Sequence, residues 1–340
     1  MPQLVVSEVL AAGELAALAP EWSALWRRCP TATAFQSPAW LIPWWRHFGN
    51  DRLLVLTVRA GGELVGALPL YVFEEPPAHR KLLPLGIGIS DYMDGLFDPA
   101  WAKPAAGAAL AHLPRASRAW DVCELHQLPP GSALLAADAP PGLADGTVPG
   151  EPCLAVSLPG DAPELPRGLP HRMAANLRYY GRRALRAGRV RFERATADTL
   201  PALLDDLFRL HAAAWAARGQ PGGVLADGTL RRFHRDAAPA LFAEGIARLH
   251  LLRLDGRPIA GCYGFTANGR ACAYLTGFDP AHARLSPGSL VLAHAMEEAI
   301  RDGAAAFDFL RGPEPYKYHW GPEECPTFTR RLWPAGPATR

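Results

Sequence analysis

A strand–turn–strand pattern occurs twice in this chain, 195 residues apart, and it limits the fold more than any other sequence feature. The two copies are the β-rich segments 53–73 and 249–266, whose turns are Gly61-Gly62 and Asp255-Gly256. A pattern that recurs at such a distance indicates duplicated domains, each built around an antiparallel hairpin.

A Pro/Gly-rich segment, residues 129–170, separates the two copies and predicts domains at 1–165 and 166–340. The length of 340 residues also suits two domains of roughly 150 residues each. The first range has 10 basic and 17 acidic residues, whereas the second has 25 and 16. The basic half is therefore expected to hold an anionic ligand such as a nucleotide, or else to carry a solvated charged surface.

Composition excludes several classes of protein. Apolar residues make up 49% and charged residues 20%, a balance typical of a packed soluble chain rather than a disordered one. Glu8 and Glu14 interrupt the region where a signal peptide would be apolar, so we expect a cytoplasmic protein without a membrane span. The six cysteines form no C-x-x-C pair and the histidines lack metal-binding spacing, so no metal site is expected.

The second half continues with a third strand, a helix and a fourth strand. Asn268-Gly269 predicts another hairpin turn before the strand 271–278. Apolar residues recur every four positions at Leu292, Met296 and Ile300, which predicts a helix over 287–302. Residues 305–310 then form a buried strand, so that the order is β-β-β-α-β.

The start of this helix reads Ser286-Pro287-Gly288-Ser289, with Ser286 as the N-cap and Pro287 at the first helical position. Such a start presents backbone N–H groups and the positive end of the helix dipole, and Gly288 lets a phosphate approach the backbone. The sequence predicts a pyrophosphate site here, or simply a well-capped helix.

The β-β-β-α-β order resembles the core of GNAT acyltransferases. Over nearly its whole length the chain looks like the BioF2-like (CelD/BcsL-type) GNAT family, which is related to the Fem-type peptidyltransferases. The matching motifs are F-Q-S-P-A-W at 35–40, L-G at 85–86 with S-D-Y-M-D at 90–94, D-F-L-R-G at 308–312 and E-P-Y-K-Y at 314–318. The resemblance implies an α/β fold with mixed sheets and two tandem GNAT-like domains, the first on the acceptor side and the second with the acyl-donor groove.

The resemblance also implies a function. It suggests transfer of an acyl group, acetyl in the first instance, from acetyl-CoA or another acyl-CoA to an amine or hydroxyl of a sugar, peptide, or envelope or polysaccharide precursor. One alternative is Fem-like transfer from aminoacyl-tRNA. Another is a non-catalytic binding protein, because the phosphate loop, R-x-x-x-G-S from Arg284, is one residue longer than the usual GNAT pattern.

In a GNAT-like core the strands 271–278 and 305–310 would separate and receive the donor's thioester arm against Leu275 and Gly277. Asp308 lies between Phe307 and Phe309 on the buried strand, so its carboxylate needs a partner or a catalytic role. Arg311 is near enough in sequence to be that partner, and both residues are candidates.

The segment E-P-Y-K-Y holds the remaining catalytic candidates. Lys317 matches the lysine that approaches the donor carbonyl in Fem-type enzymes, which implies an oxyanion-stabilising or phosphate-binding cation. Tyr316, or its neighbour Tyr318, could protonate a leaving thiolate, and Glu314 could be the base. The alternative is a loop of packed aromatic residues with a solvated lysine.

Two further segments are candidates for substrate binding. The resemblance places Ser90, Asp91, Tyr92 and Asp94 near an amine acceptor, although these residue types also form turns. Arg178 and Arg182 begin an arginine stripe, continued by residues 186 and 189, that suits CoA, another nucleotide or RNA, or a solvated helix. Elsewhere, the i, i+4 spacing of His211 and Trp215 indicates helix packing.

Overall fold

The computed structural model describes residues 2–77, 79–220 and 222–335 and divides the chain into two compact units. The first unit consists of two segments of the chain, one that ends at Pro152 and one that begins at Cys325. The second unit is Cys153–Glu324. The change of unit thus lies within the predicted Pro/Gly-rich segment, but thirteen residues before position 165. The end of the chain returns to the first unit because its last strand pairs there.

The first unit has an eight-stranded sheet with helices before and within it. Its helices are α1 (Ala12–Ala17), α2 (Ala19–Arg28), α3 (Pro38–Phe48), α4 (Ala102–His112) and α5 (Ala133–Ala136). Its strands are β1 (Leu4–Val9), β2 (Leu53–Ala60), β3 (Glu63–Glu75), β4 (His79–Pro84), β5 (Leu96–Phe97), β6 (Val122–Leu128), β7 (Leu143–Pro149) and, from the end of the chain, β15 (Phe328–Pro334).

The second unit has a seven-stranded sheet. Its helices are α6 (Leu165–Gly168), α7 (His171–Ala187), α8 (Leu200–Ala216), α9 (Gly228–Ala243), α10 (Pro287–Arg301) and α11 (Pro315–Tyr318). Its strands are β8 (Cys153–Ser157), β9 (Val190–Arg194), β10 (Ala247–Leu254), β11 (Arg257–Ala267), β12 (Arg270–Phe278), β13 (Ala306–Arg311) and β14 (Glu323–Cys325).

The two sheets have the same design. Their orders are β1-β2-β3-β4-β6-β15-β7 and β9-β10-β11-β12-β13-β8-β14, with β5 pairing β3 off the main path of the first. In each, the fourth and fifth strands run parallel and are joined by one long helix, α4 or α10. The predicted α/β class with mixed sheets and duplicated domains is confirmed.

The hairpin turns follow from their sequences. Asp255-Gly256 and Asn268-Gly269 both place two successive residues at positive φ, between 49° and 81°, as a type I′ turn requires. Gly61-Gly62 does the same with φ of 57° and 91°. These turns match the twist of the flanking strands, so the three predicted hairpins form where the sequence placed them.

Helix α10 forms the core of the second unit with one face of its sheet. Val291 and Met296 are fully buried there, beside Ala260 of β11 and Phe307 of β13. Helix α8 also packs against β11 and β12, but its residues do not belong to the core cluster that contains α10. Glycines on these two strands allow the backbone of α8 to approach closely. A Cβ at Gly277 would lie 2.7 Å from the Leu210 carbonyl carbon.

This close packing predicts that Gly277→Ala lowers the free energy of unfolding by about 3 kcal/mol, because the new methyl group meets main-chain atoms of α8 that cannot rotate away. The matched control is Gly261→Ala on β11, whose Cβ would come closest to the ends of the Leu207 and Leu251 side chains, at 2.9 and 2.7 Å, with the His250 carbonyl oxygen in ordinary contact at 3.6 Å. We expect about 1 kcal/mol for the control in urea unfolding. Equal losses for both variants would contradict the close approach of α8.

Candidate functional site

The parallel strands β12 and β13 separate soon after they pair. Their ladder joins Arg270–Cys272 to Ala306–Asp308, and no described residue beyond Cys272 on β12 is paired with β13. Strand β12 nevertheless continues to Phe278 against β11, with an irregularity that sets Tyr274 outside the register. Within the described chain, the last six residues of β12 are therefore unpaired on the β13 side, and we call the space between the separated strands the gap. That the gap receives a thioester arm stays a prediction.

Helix α10 begins after this part of β12. Pro287 occupies the first turn as predicted, but Ser286 differs from a usual cap because its backbone is left-handed, with φ 48° and ψ 50°. Its hydroxyl donates to Ser289 Oγ at 3.1 Å instead of accepting a backbone N–H. The Ser289 and Leu290 N–H groups are satisfied by the Ser286 carbonyl, at 3.1 and 3.2 Å.

Gly288 is the open position in this first turn. A Cβ there would meet a single neighbour, Phe278 Cδ1, at 3.8 Å. Its N–H group has no acceptor among the residues the structure describes. The site therefore offers one unengaged N–H at the positive end of a 15-residue helix, next to the gap.

Asp308 lies where the ladder ends, and its side chain is fully buried. One carboxylate oxygen accepts from Arg270 Nη1 at 2.7 Å, and the other accepts the Leu310 N–H at 2.7 Å. Leu310 has φ 61°, which turns β13 away from the course of a regular strand. The ion pair with Arg270 compensates the buried charge of Asp308, as a buried carboxylate requires.

Lys317 is 3% exposed and its ammonium group lies in a shell of oxygens. Nζ donates to the carbonyls of Leu310, Arg311 and Gly312 at 3.2, 2.5 and 3.2 Å, and it lies 2.8 Å from Glu314 Oε2. An ammonium has three N–H donors, and these acceptors suffice for all of them. The alternative of a solvated lysine is wrong, since the ammonium group is buried and binds the end of β13 and Gly312.

Two other candidates of E-P-Y-K-Y contact Lys317 and Phe309. Glu314 has a half-exposed carboxylate that forms the ion pair with Lys317. Tyr316 packs edge-on against Phe309 with ring centroids 6.5 Å apart. Burial raises the pKa of Tyr316 well above its ordinary value and the Glu314 charge adds to this effect, so the phenol stays protonated near neutral pH.

The structure places the two predicted thioester contacts on the α8 side of the sheet. Leu275 is buried, and the Gly277 main chain lies directly against Leu210 and His211 of α8. His211 was expected only to pack, yet its Nδ1 lies 2.8 Å from the Thr276 carbonyl oxygen. The i, i+4 spacing of His211 and Trp215 does not predict this polar contact, because Thr276 is distant in sequence and only the fold brings it close.

In the first unit, the two predicted motifs contact each other. The Trp40 indole donates to Ser90 Oγ at 2.8 Å, and the Gln36 amide donates to the Tyr92 carbonyl. Asp91 is 5% exposed. The loop is therefore held by side chains from the segment 35–40.

Asp94 Oδ1 accepts from the Ser132 hydroxyl and from the Gly95 N–H, both at 2.8 Å. Burial raises the pKa of Asp94 to about 7, against the opposing effect of the Ser132 and Gly95 hydrogen bonds. Its charge at neutral pH is therefore only partial, which weakens a purely electrostatic role with a cationic acceptor.

Arg178 and Arg182 are exposed on α7, which contains no acidic residue. Neither guanidinium forms an ion pair within the described part of the chain. The predicted arginine stripe does not lie on one continuous helix. Helix α7 ends at Ala187, so Arg189 lies beyond it, before β9.

Within 2–77, 79–220 and 222–335, no group of three or more His, Cys, Asp or Glu side chains is arranged to bind a metal ion. In the same ranges, every helix is too short or too polar to cross a bilayer.

Residues 171–318 match a family model described as an acetyltransferase (GNAT) domain. This range lies within the second unit and contains α7, the gap between β12 and β13, and Lys317. No curated protein sequence matches the chain.

Solved structures show the same fold over almost the whole chain. The structure of FemX has a TM-score of 0.66 at 13% identity and covers 96% of both chains. The C-terminal domain of a putative lysylphosphatidylglycerol synthetase from Agrobacterium fabrum has a TM-score of 0.58 at 13% identity, covering 93% of this chain and 92% of that one. A conserved protein of unknown function from Bacteroides thetaiotaomicron has a TM-score of 0.53 at 13% identity, covering 97% and 100%.

At these identities the likeness shows the fold alone. The family match supports an acyltransferase, with the GNAT domain at residues 171–318.

The oxygen shell of Lys317 predicts that Lys317→Met lowers the free energy of unfolding by about 3 kcal/mol, because buried carbonyls lose their donor. Glu314→Gln should cost under about 1 kcal/mol in the same denaturant titration, since the Glu314 carboxylate is half exposed. A Lys317→Met protein of unchanged stability would show that the ammonium is not needed to hold the backbone.

Proposed function

We propose that this acyltransferase moves an acyl group, acetyl in the simplest case, from acyl-CoA to an amine or hydroxyl of a sugar, peptide, or envelope or polysaccharide precursor. The observation that carries the proposal is the gap between β12 and β13, with the unengaged Gly288 N–H at the start of α10 beside it. The resemblance to BioF2-like (CelD/BcsL-type) proteins supports the acceptor class. A cytoplasmic location stays a prediction.

In this proposal the second unit binds the donor. The CoA pyrophosphate takes the Gly288 N–H and the positive end of α10, with the Ser286 and Ser289 hydroxyls beside it. The thioester arm enters the gap along β12, past Leu275 and Gly277. Because β13 leaves β12 at Asp308, backbone N–H groups of β12 are available to the carbonyl oxygen of the thioester.

Transfer requires a proton acceptor for the nucleophile and a proton donor for the leaving thiolate. Tyr316 is the donor predicted from the sequence, since a tyrosine phenol is protonated near neutral pH. Glu314 is the base predicted from the sequence. Lys317 and Asp308, with Arg270, hold the segment 310–312 in place, and Arg311 belongs to that segment.

Acyl-CoA binding is tested by thermal unfolding with CoA and acetyl-CoA. A ligand at 100 times its Kd adds about 2.7 kcal/mol, which raises the Tm by several degrees for a protein of this size. Gly288→Val should abolish this shift while leaving the unliganded Tm close to wild type, because its side chain would fill the open approach to the N–H.

Gly168→Ala is the matched control, since a Cβ there has nothing within 4 Å. It should keep the full shift. The absence of any shift for wild type at millimolar ligand would contradict acyl-CoA as the donor and favour the tRNA-dependent or non-catalytic alternative.

A second candidate function, Fem-like transfer from aminoacyl-tRNA, is supported by the exposed arginines of α7. It predicts that tRNA binds with an affinity that falls steeply with salt, and that Arg182→Gln weakens binding and reduces the slope by about one. Arg115→Gln, an exposed arginine of the first unit, is the control and should change neither. Electrophoretic mobility shift at several salt concentrations measures both quantities, and salt-independent binding would count against this function.

A further inference from the structure

His211 carries an imidazole whose protonation pattern is fixed by one contact. Nδ1 lies 2.8 Å from the Thr276 carbonyl oxygen, which can only accept a hydrogen bond. Nδ1 must therefore carry the proton, and Nε2 must present a lone pair when the ring is neutral.

That lone pair is unused. Nε2 is enclosed, the side chain is 4% exposed, and the atom has no hydrogen-bond partner among the described residues. Buried polar atoms in native proteins are nearly always paired, and exceptions occur at sites that bind a ligand, a water or a reacting group. The unengaged Nε2 thus leaves one acceptor for a group that arrives with the substrate.

The main chain of His211 contacts a residue of β12 that borders the gap. Thr276 and Gly277 belong to the part of β12 that has left β13, and the Gly277 main chain lies against the His211 backbone. The helix containing His211 therefore contacts β12 at the residues that border the proposed thioester arm.

The groups around His211 favour its neutral form. Burial lowers the pKa of His211 below its ordinary 6.5, which the Thr276 hydrogen bond partly opposes and the Arg218 charge reinforces. Other titratable groups on this side include His234 of α9, whose pKa is lowered by burial and by the His211 charge. Tyr263 of β11 and Tyr274 of β12 pack against His234. Trp215 lies 5.9 Å from the His211 ring, and Arg218 stacks over that indole at 5.4 Å.

We propose that His211 is the general base, with Nε2 removing the proton from the acceptor's amine or hydroxyl as it attacks the thioester. The acceptor's N–H or O–H bond breaks, its N–C or O–C bond forms, and the C–S bond of the thioester breaks. The departing CoA thiolate takes the proton of Tyr316, and one proton passes through solvent from the imidazolium to the phenolate. This inference rests on the proposed acyl-CoA function.

His211 is better suited to this step than Glu314, because one of its nitrogens is unengaged. The Glu314 carboxylate is engaged in the ion pair with Lys317, and its oxygen lies 2.8 Å from Nζ. The imidazole of His211 is anchored at one nitrogen and unengaged at the other, as a general base needs to be.

The test compares His211→Asn with wild type in acetyl transfer from acetyl-CoA to glucosamine and to glycylglycine. The Asn amide N–H can replace Nδ1–H toward Thr276, but nothing replaces Nε2. We expect kcat to fall about 10²–10⁴-fold, with the CoA-induced rise in Tm unchanged. Since the neutral ring is the active form and its pKa is lowered, wild-type kcat should decline only below about pH 6.5, and the variant should lose that limb.

His250→Asn is the matched control. His250 is also a buried histidine of the second unit, 2% exposed on β10, but it lies outside the proposed catalytic groups. It should retain both kcat and the acid limb. A His211→Asn enzyme with wild-type kcat and pH profile would overturn the proposal, as would equal losses in Glu314→Gln and none in His211→Asn.

Nitrogen NMR of ¹⁵N-histidine-labelled protein gives a readout that needs no turnover. At pH 7 we expect a protonated Nδ1 and an unprotonated Nε2 for His211, and a change in the Nε2 signal when acetyl-CoA binds. A protonated Nε2, or a signal unmoved while the Tm shift shows acetyl-CoA bound, would refute the assignment. If acetyl-CoA fails to bind wild type at all, the proposed function itself is wrong and the assignment of the base falls with it.

Discussion

The geometry of the second unit depends on one event, the end of the β12–β13 ladder at Cys272 and Asp308. Two buried charged side chains, Asp308 and Lys317, hold the backbone that follows. The Asp308 carboxylate accepts the Leu310 N–H as the chain turns through a positive φ, and the Lys317 ammonium binds the carbonyls of residues 310–312. Buried charges survive only when they are fully compensated, so these contacts leave the backbone little freedom. These contacts therefore keep β13 apart from β12 beyond Asp308. The proposed roles of the start of α10 and of His211 both depend on this separation.

Local signals predicted the framework of this unit well. The turns Asp255-Gly256 and Asn268-Gly269 require only that two adjacent residues tolerate positive φ, and the period of α10 requires only that one face be apolar. Such properties are set by neighbours in sequence. The return of β15 to the first unit, between β6 and β7, depends instead on pairing across some 200 residues, and no local pattern records it.

The chemistry of individual side chains was harder to predict, for the same reason. Lys317 was expected to act on a phosphate or an oxyanion, and the shell of carbonyl oxygens shows its donors already engaged. The His211 spacing suggests packing, and only the fold brings its Nδ1 to Thr276. Likewise Trp40 and Ser90, from two separate motifs, contact each other in the first unit. A motif can thus mark residues that hold a loop as well as residues that touch a ligand.

The duplication bears on why we propose the donor site in the second unit rather than in the first. The first unit has an equivalent parallel pair, β4 and β6, and an equivalent helix, α4. Before that helix, however, Asp98 accepts the Ala100 N–H at 3.0 Å and pairs with Arg28 at 2.9 Å. A carboxylate thus already accepts a backbone N–H just before α4, and a negative charge there opposes the binding of a pyrophosphate. At α10 the corresponding first turn holds Gly288, whose N–H is unengaged within the described residues and whose surroundings are open. Of two helices in the same topological position, only the second is suited to an anionic donor.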